Sequence, residues 1–166
     1  MRAATKADAA VTNGGGIRAG KVYPPGSKIS RRDIMAELPF GNRVIPIEIS
    51  GGDLKRALEN GLSQLPNPSG RFPQVSGLRI VADTSRPAGE RILSLRVGGA
   101  PLDEARLYRV AINDFMARGG DDYVQFRDAK RLLPDSDAPP LVNVVMDYVK
   151  NLGSIRTRVE GRIVLR

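Results

Sequence analysis

Apolar and polar positions recur with two different periods along this chain, and the changes of period mark out its elements. In Arg43–Ser50 (RVIPIEIS), Ile45, Ile47 and Ile49 alternate with Val44, Pro46 and Glu48, the period-two pattern of a half-buried strand. A proline within such a run points to an edge strand or a bulge. The period then lengthens. Leu54, Ala57, Leu58, Leu62 and Leu65 fall on one face of an amphipathic helix, with Ser50 as N-cap and Asp53 three residues on as its reciprocal partner.

The same logic extends to both ends. Asp8–Thr12 (DAAVT) reads as a short apolar strand running into Asn13-Gly14-Gly15-Gly16-Ile17-Arg18, followed by a Gly/Pro-rich connection from Ala19 to Lys28. Ser30 and Asp33 form a second capping signature, for a short helix through Leu38, and Pro39 ends it by pushing the preceding residue out of helical geometry. Phe72–Gly77 leads into Leu78–Ala82, and with Arg91–Val97 across the Pro87-Ala88-Gly89 turn this predicts a hairpin. Leu107–Asn113 (LYRVAIN) predicts a further strand. Pro139-Pro140 opens a helix with Leu141, Val144, Val145, Tyr148 and Val149 on one face, and Val159–Leu165 closes the chain as a strand. Strands and helices mix without a regular strand–helix repeat. The prediction is an α+β fold, a mixed β-sheet with packed helices, in one domain spanning residues 1–166.

Composition narrows the chemistry. The chain contains neither Cys nor His, which removes disulfides, thiolate ligands and a cysteine nucleophile, and with them the usual ligands of catalytic zinc and the commonest general base. No catalytic residue is assigned. The 26 basic against 18 acidic residues leave +8, scattered without a tail or a run of like charge, so a solvated basic surface stands beside recognition of a phosphate or carboxylate by arginine. Nothing favours nucleic acid as the partner. No apolar stretch is long enough for a signal peptide or a membrane span.

Three segments offer chemistry, each beside a structural alternative. The glycine triplet Gly14–Gly16 next to Arg18 allows close approach to an anion, or simply makes a turn; it matches neither the P-loop nor the dinucleotide fingerprint. Phe40 and Phe115 lie in loops beside Gly-rich turns, where they either clamp a flat base or plug the core beneath their own loops. Asp121 and Asp122 follow a glycine pair, suited to a vicinal diol or to turn formation alone.

Taken in order, the blocks ADAAVTNGGGIR (Ala7–Arg18), DIMAELPFGNRV (Asp33–Val44), ISGGDLKRALENGL (Ile49–Leu62), GRFPQVSGLRI (Gly70–Ile80) and YRVAINDFMARGGDDY (Tyr108–Tyr123), closed by VEGRI (Val159–Ile163), resemble the C-terminal domain of the 5′-nucleotidase family over nearly the whole chain. The resemblance implies that this domain binds the nucleoside part of a nucleotide. An N-terminal metallophosphoesterase domain, absent from this chain, would hold two divalent metal ions and hydrolyse the phosphate ester; this chain would carry no cofactor. It implies further that Phe40 and Phe115 sandwich the base, that Asn13 and Asn42 lie near the base or its loop, that Arg18 reaches phosphate or ribose, that Asp121 takes the ribose hydroxyls and that Gly77 lies in the pocket wall. Arg2–Lys6 would be the tail of a preceding helix. The parent would be periplasmic, secreted or at the cell surface. A 2′,3′-cyclic-nucleotide phosphodiesterase, a nucleotide-sugar hydrolase or a non-catalytic nucleoside-binding module are the alternatives.

Overall fold

The computed structural model describes residues 1–18 and 20–166; Ala19, the first residue of the expected connection, lies outside the described residues. A five-stranded sheet forms the centre, in the order β3-β1-β7-β2-β8, from β1 (Ala9–Asn13), β2 (Val44–Ser50), β3 (Pro73–Ser76), β7 (Leu107–Asn113) and β8 (Lys130–Arg131). A second sheet runs β6-β5-β4-β9, from β4 (Leu78–Ala82), β5 (Ile92–Val97), β6 (Ala100–Pro101) and β9 (Ile163–Leu165). In the central sheet β1 and β7 are parallel and every other neighbour is antiparallel. The mixed sheets with packed helices are those of an α+β fold.

Period-two alternation divides the central sheet between two cores. Val11, Ile45, Ile47, Val110 and Ile112 point to one side, where α3 (Gly51–Leu62) and the second sheet cover them. Ala10, Val44 and Ala111 point to the other, where Leu141 and Val144 of α6 (Leu141–Leu152) cover them. Both faces are therefore buried, and β2 is an interior strand with Pro46 opposite Ala111, neither the half-buried strand its alternation predicts nor the edge or bulge its proline suggests. The proline is tolerated because the carbonyl of Pro46, accepting from Leu132 N at 2.9 Å, points toward β8, as an N–H there would. That side is covered by only the two-residue β8.

The Ser30 capping box forms in full. At α3 the Ser50 hydroxyl accepts from Asp53 N at 3.1 Å, but Asp53 Oδ2 accepts from that hydroxyl rather than from the Ser50 amide, so the second box is only half made. The Ser30 hydroxyl accepts from Asp33 N at 3.2 Å and Asp33 Oδ2 accepts from Ser30 N at 2.8 Å at the start of α2 (Arg31–Glu37). Hydrogen bonds from Lys21 and Ser30 hold the Asp33 carboxyl well below the usual carboxylate range. A short helix, α1 (Arg2–Thr5), precedes β1. Two expectations change. The Phe72–Ala82 stretch is two strands in different sheets, divided at Gly77, and the closing strand is limited to Ile163–Leu165, with Val159 fully exposed.

The second sheet is fastened to α3 by a buried carboxylate. Glu59, 6% exposed, accepts from Arg91 N at 3.0 Å and Ile92 N at 2.6 Å, while the Arg91 guanidinium donates to the Leu62 carbonyl. Removing a buried acceptor leaves its donors unsatisfied at about 1–3 kcal/mol each. Glu59→Ala is therefore expected to destabilise the chain by roughly 2–5 kcal/mol in urea unfolding, whereas Glu160→Ala, whose carboxylate pairs with Arg162 at the surface, stays within about 1 kcal/mol of wild type.

Candidate functional site

Because β1 and β7 run parallel in the register Ala9↔Val110 and Ala10↔Ala111, they end side by side, each in an asparagine. Asn113 Nδ2 donates to Asn13 Oδ1 at 2.9 Å and to Thr12 Oγ1 at 3.0 Å, and Asn113 Oδ1 accepts from Met116 N at 2.8 Å. These bonds orient Asn13, itself 5% exposed, so that its Nδ2 donates to Asp121 Oδ2 at 2.7 Å. Among the described residues no donor reaches Asp121 Oδ1.

Asp121 and Asp122 sit in a tight turn between α4 (Asp114–Ala117) and α5 (Val124–Arg127), both in the left-handed region with φ of 55° and 62°. That conformation costs an L-residue about 1–2 kcal/mol, though aspartate tolerates it better than most. The surroundings enforce it. Asn60 Nδ2 donates to the Asp121 carbonyl at 3.0 Å, and Arg71 Nη2 pairs with Asp122 Oδ2 at 2.6 Å. The fully buried Tyr123 donates its hydroxyl to the Arg71 carbonyl at 2.7 Å. Burial pushes the Tyr123 hydroxyl above its ordinary range, so the donor keeps its proton.

Two phenylalanines are exposed at this end of the sheet, and Phe115 lies against the turn. Phe115 is 40% exposed, and its ring lies so close over Gly120 that a Cβ there would meet Cε1 and Cζ at 2.5 Å. Glycine at 120 is thus a requirement of the ring's position. Phe40 is 55% exposed, and the Arg18 guanidinium stands 5.4 Å from its ring centroid while Arg18 Nε donates to the Gly15 carbonyl at 2.7 Å. Phe115 stands on the short helix α4 rather than in the expected loop, and α4 is tied to the segment after Phe40: Arg43 N donates to Asp114 Oδ1 and Asp114 N donates to the Arg43 carbonyl, each at 3.0 Å. Neither ring plugs the core. Asn42 is half-buried, holds α6 through its carbonyl, which accepts from Leu141 N at 2.7 Å, and lines a shallow niche with Gly16 and Phe40.

Asn13, Arg18, Phe40, Asn42, Phe115 and Asp121 therefore lie at one end of the central sheet. Gly77 does not. It lies past the other end of β1, beyond the Ala10↔Ser76 pair, with φ of 77° and a Cβ position 2.4 Å from the Asp8 carbonyl oxygen. Glycine is needed there for the chain to pass from the first sheet to the second, so the pocket-wall placement is corrected. The glycine triplet also has a packing cause, since Gly14 N donates to the Phe72 carbonyl at 2.7 Å and Gly15 N to the Gly70 carbonyl at 2.8 Å. A Cβ on either would lie 3.1–3.2 Å from that loop, and those two amides are not free to cradle a phosphate.

Asn60, Arg71 and Asn113 were not apparent from the sequence. A signal existed only for Asn113, which ends its strand in an apolar run before Asp114 as Asn13 does before Gly14. Among the described residues no group of three or more His, Cys, Asp or Glu is arranged to hold a metal ion, so this chain's own donors do not fit a dimetal centre. A separate apolar groove of about 770 Å³ lies between α1, α6 and β9 and contains neither Phe40 nor Phe115.

Comparison with known proteins agrees with this architecture. Residues 1–128 match the family model of the 5′-nucleotidase C-terminal domain. The trifunctional nucleotide phosphoesterase protein YfkN of Bacillus subtilis (strain 168) is 35% identical over 93% of this chain and 11% of its own length. The human 5′-nucleotidase is 32% identical over 92% of this chain and 28% of its own. The crystal structure of a 5′-nucleotidase precursor from Thermus thermophilus superposes with a TM-score of 0.88 at 37% identity, covering 99% of this chain and 32% of that one. The chain thus spans a third or less of each of these relatives. It belongs to the 5′-nucleotidase C-terminal domain family.

Proposed function

We infer that this chain is the nucleoside-binding part of a 5′-nucleotidase-type phosphoric ester hydrolase, working with an N-terminal metallophosphoesterase domain of the same protein. The observation that carries the reading is the pair of exposed rings, Phe40 in the turn after α2 and Phe115 on the short helix α4 hydrogen-bonded to the start of β2, with Phe115 against the turn that holds an aspartate with one unengaged carboxylate oxygen. A planar base stacks between the two rings, the ribose diol donates to Asp121 Oδ1, and Arg18 swings from its stacked position on Phe40 to meet the phosphate or ribose. Asn13 fixes the aspartate, and Asn42 shapes the loop under Phe40. Two divalent metals in the other domain would supply the activated water and the grip on the phosphate. This chain's residues bind and orient; they move no proton in the hydrolysis.

Such a parent would act in nucleotide catabolism at a periplasmic, secreted or cell-surface location; among the described residues no helix is long and apolar enough to cross a membrane. Stacking accepts any base, so a 2′,3′-cyclic phosphodiesterase or nucleotide-sugar hydrolase would use the same cluster.

Two outcomes follow. The purified chain is expected to show no phosphatase turnover on nucleoside monophosphates, with Zn²⁺, Mn²⁺ or neither. Metal-dependent turnover that persists through rigorous repurification would contradict the reading. AMP is expected to bind weakly, with a dissociation constant of about 1 mM or roughly −4 kcal/mol, because stacking and one diol contact barely exceed the entropy lost on association. Phe115→Ala should raise that constant by about tenfold, given roughly 1–3 kcal/mol per stacked base. NMR titration checks this: shifts centred on Phe40, Phe115 and Asp121 with shallow salt dependence support a pocket. Shifts spread over surface arginines and abolished by modest salt would show charge alone at work.

A further inference from the structure

The turn that carries Asp121 is fastened by a side chain from a distant loop. Arg71 reaches it with three contacts: Nη2 to Asp122 Oδ2 at 2.6 Å, Nη1 to Asn60 Oδ1 at 3.2 Å, and Nη1 to Ser63 Oγ at 3.3 Å. Asn60, oriented by that bond, passes the constraint on by donating to the Asp121 carbonyl at 3.0 Å. The Tyr123 hydroxyl returns from the far side of the turn to the Arg71 carbonyl. The Arg71 side chain is only 21% exposed, unlike the arginine of an ordinary surface ion pair. The clamp thus engages the main chain of Asp121 and the side chain of its neighbour, and leaves the Asp121 carboxylate to Asn13.

This arrangement does more than stabilise a loop. Asp121 and Asp122 hold left-handed backbone conformations, and such a turn, released, has other conformations to relax into. In most of them Asp121 Oδ2 would leave Asn13, and the position of Oδ1 would no longer be fixed. We propose that Arg71 is a positioning residue for ribose recognition: through Asp122 and Asn60 it locks the turn in the conformation that presents Asp121 Oδ1 to the ribose diol. This rests on the reading of Asp121 as the ribose acceptor and extends it to residues on two other elements, α3 and the loop before β3. Arg71 itself does not touch the nucleotide.

The test compares AMP with 2′,3′-dideoxy-AMP, which keeps base and phosphate but lacks the diol, by NMR titration of the 166-residue chain. Losing one hydrogen bond to a charged acceptor gives wild type a preference for AMP of about tenfold. Arg71→Met should bring that preference below about twofold by weakening AMP alone, with dideoxy-AMP binding unchanged. Asp122→Asn, at a site whose side chain is 74% exposed, keeps the turn's shape, weakens only the ion pair, and should give an intermediate preference; it decides the matter if Arg71→Met does not fold. A role in stability alone would lower affinity for both nucleotides equally, or for neither, and either result in both variants overturns the proposal. The underlying reading fails separately: a wild type without preference, together with an Asp121→Ala chain that binds AMP as wild type does, would remove the ribose contact and the proposal with it.

Discussion

The parallel pairing of β1 with β7 is the constraint on which the rest depends. It sets Asn113 level with Thr12, from where its side-chain amide reaches both Thr12 Oγ1 and Asn13 Oδ1. A slip of β1 by one residue would turn Ala10 away from α6 into the larger core and Val11 out of that core. Parallel neighbours also require a long crossover, and here the crossover holds α2, β2, α3, β3 and three of the four strands of the second sheet, β4, β5 and β6. Those insertions bring Phe40, Asn60 and Arg71 to the strand ends. The cluster is therefore a product of topology, assembled from loops far apart in sequence around two hydrogen-bonded asparagines.

Glycine serves this architecture in three distinct ways. At Gly77 a positive φ lets the chain leave one sheet and enter the other. At Gly14 and Gly15 the missing Cβ lets two loops approach to backbone hydrogen-bonding distance. At Gly120 the absent side chain is replaced by the ring of Phe115. Only the last concerns a residue of the proposed base clamp. Residue type alone does not separate these cases, because each is decided by what lies opposite, and that is a tertiary fact.

The same distinction explains what was legible in the sequence. Both serine N-caps, the α3 stripe and the β4–β5 hairpin were readable because local periodicity and capping chemistry determine them. β2 was misread because its alternation matches a half-exposed strand and its proline an edge or a bulge, whereas Val44 is covered on the second face by Leu141 and Val144, nearly a hundred residues later, and β8 pairs along the remaining side. Within the cluster, Phe40 and Phe115 stood out as scarce aromatics beside glycine-rich turns. Arg71 carried no local mark. Its importance comes from a turn at Asp121–Asp122 that no window around residue 71 contains.

The charge balance takes on a different meaning once the partners of the arginines are known. Twenty of the 26 basic residues are arginine, a bias that on composition alone was compatible with an anionic partner. Yet Arg43 donates to the Ser136 and Ala138 carbonyls, Arg91 to those of Arg86 and Leu62, Arg131 to that of Ala117 and Arg162 to that of Val75. Each joins a loop or strand end to a distant one. A fold with so many irregular connections leaves carbonyls without regular partners, and a guanidinium, carrying five donors on one planar fork, satisfies several at once where an ammonium acts as a point charge. These four arginines serve as internal fastening. Arg18 marks the contrast: its backbone amide is tied to the Glu37 carbonyl, while its side chain is exposed with one bond to Gly15 and a stacking contact on Phe40. The proposed turn of Arg18 toward a phosphate or ribose would give up only these two side-chain contacts and leave the backbone tie to Glu37 in place.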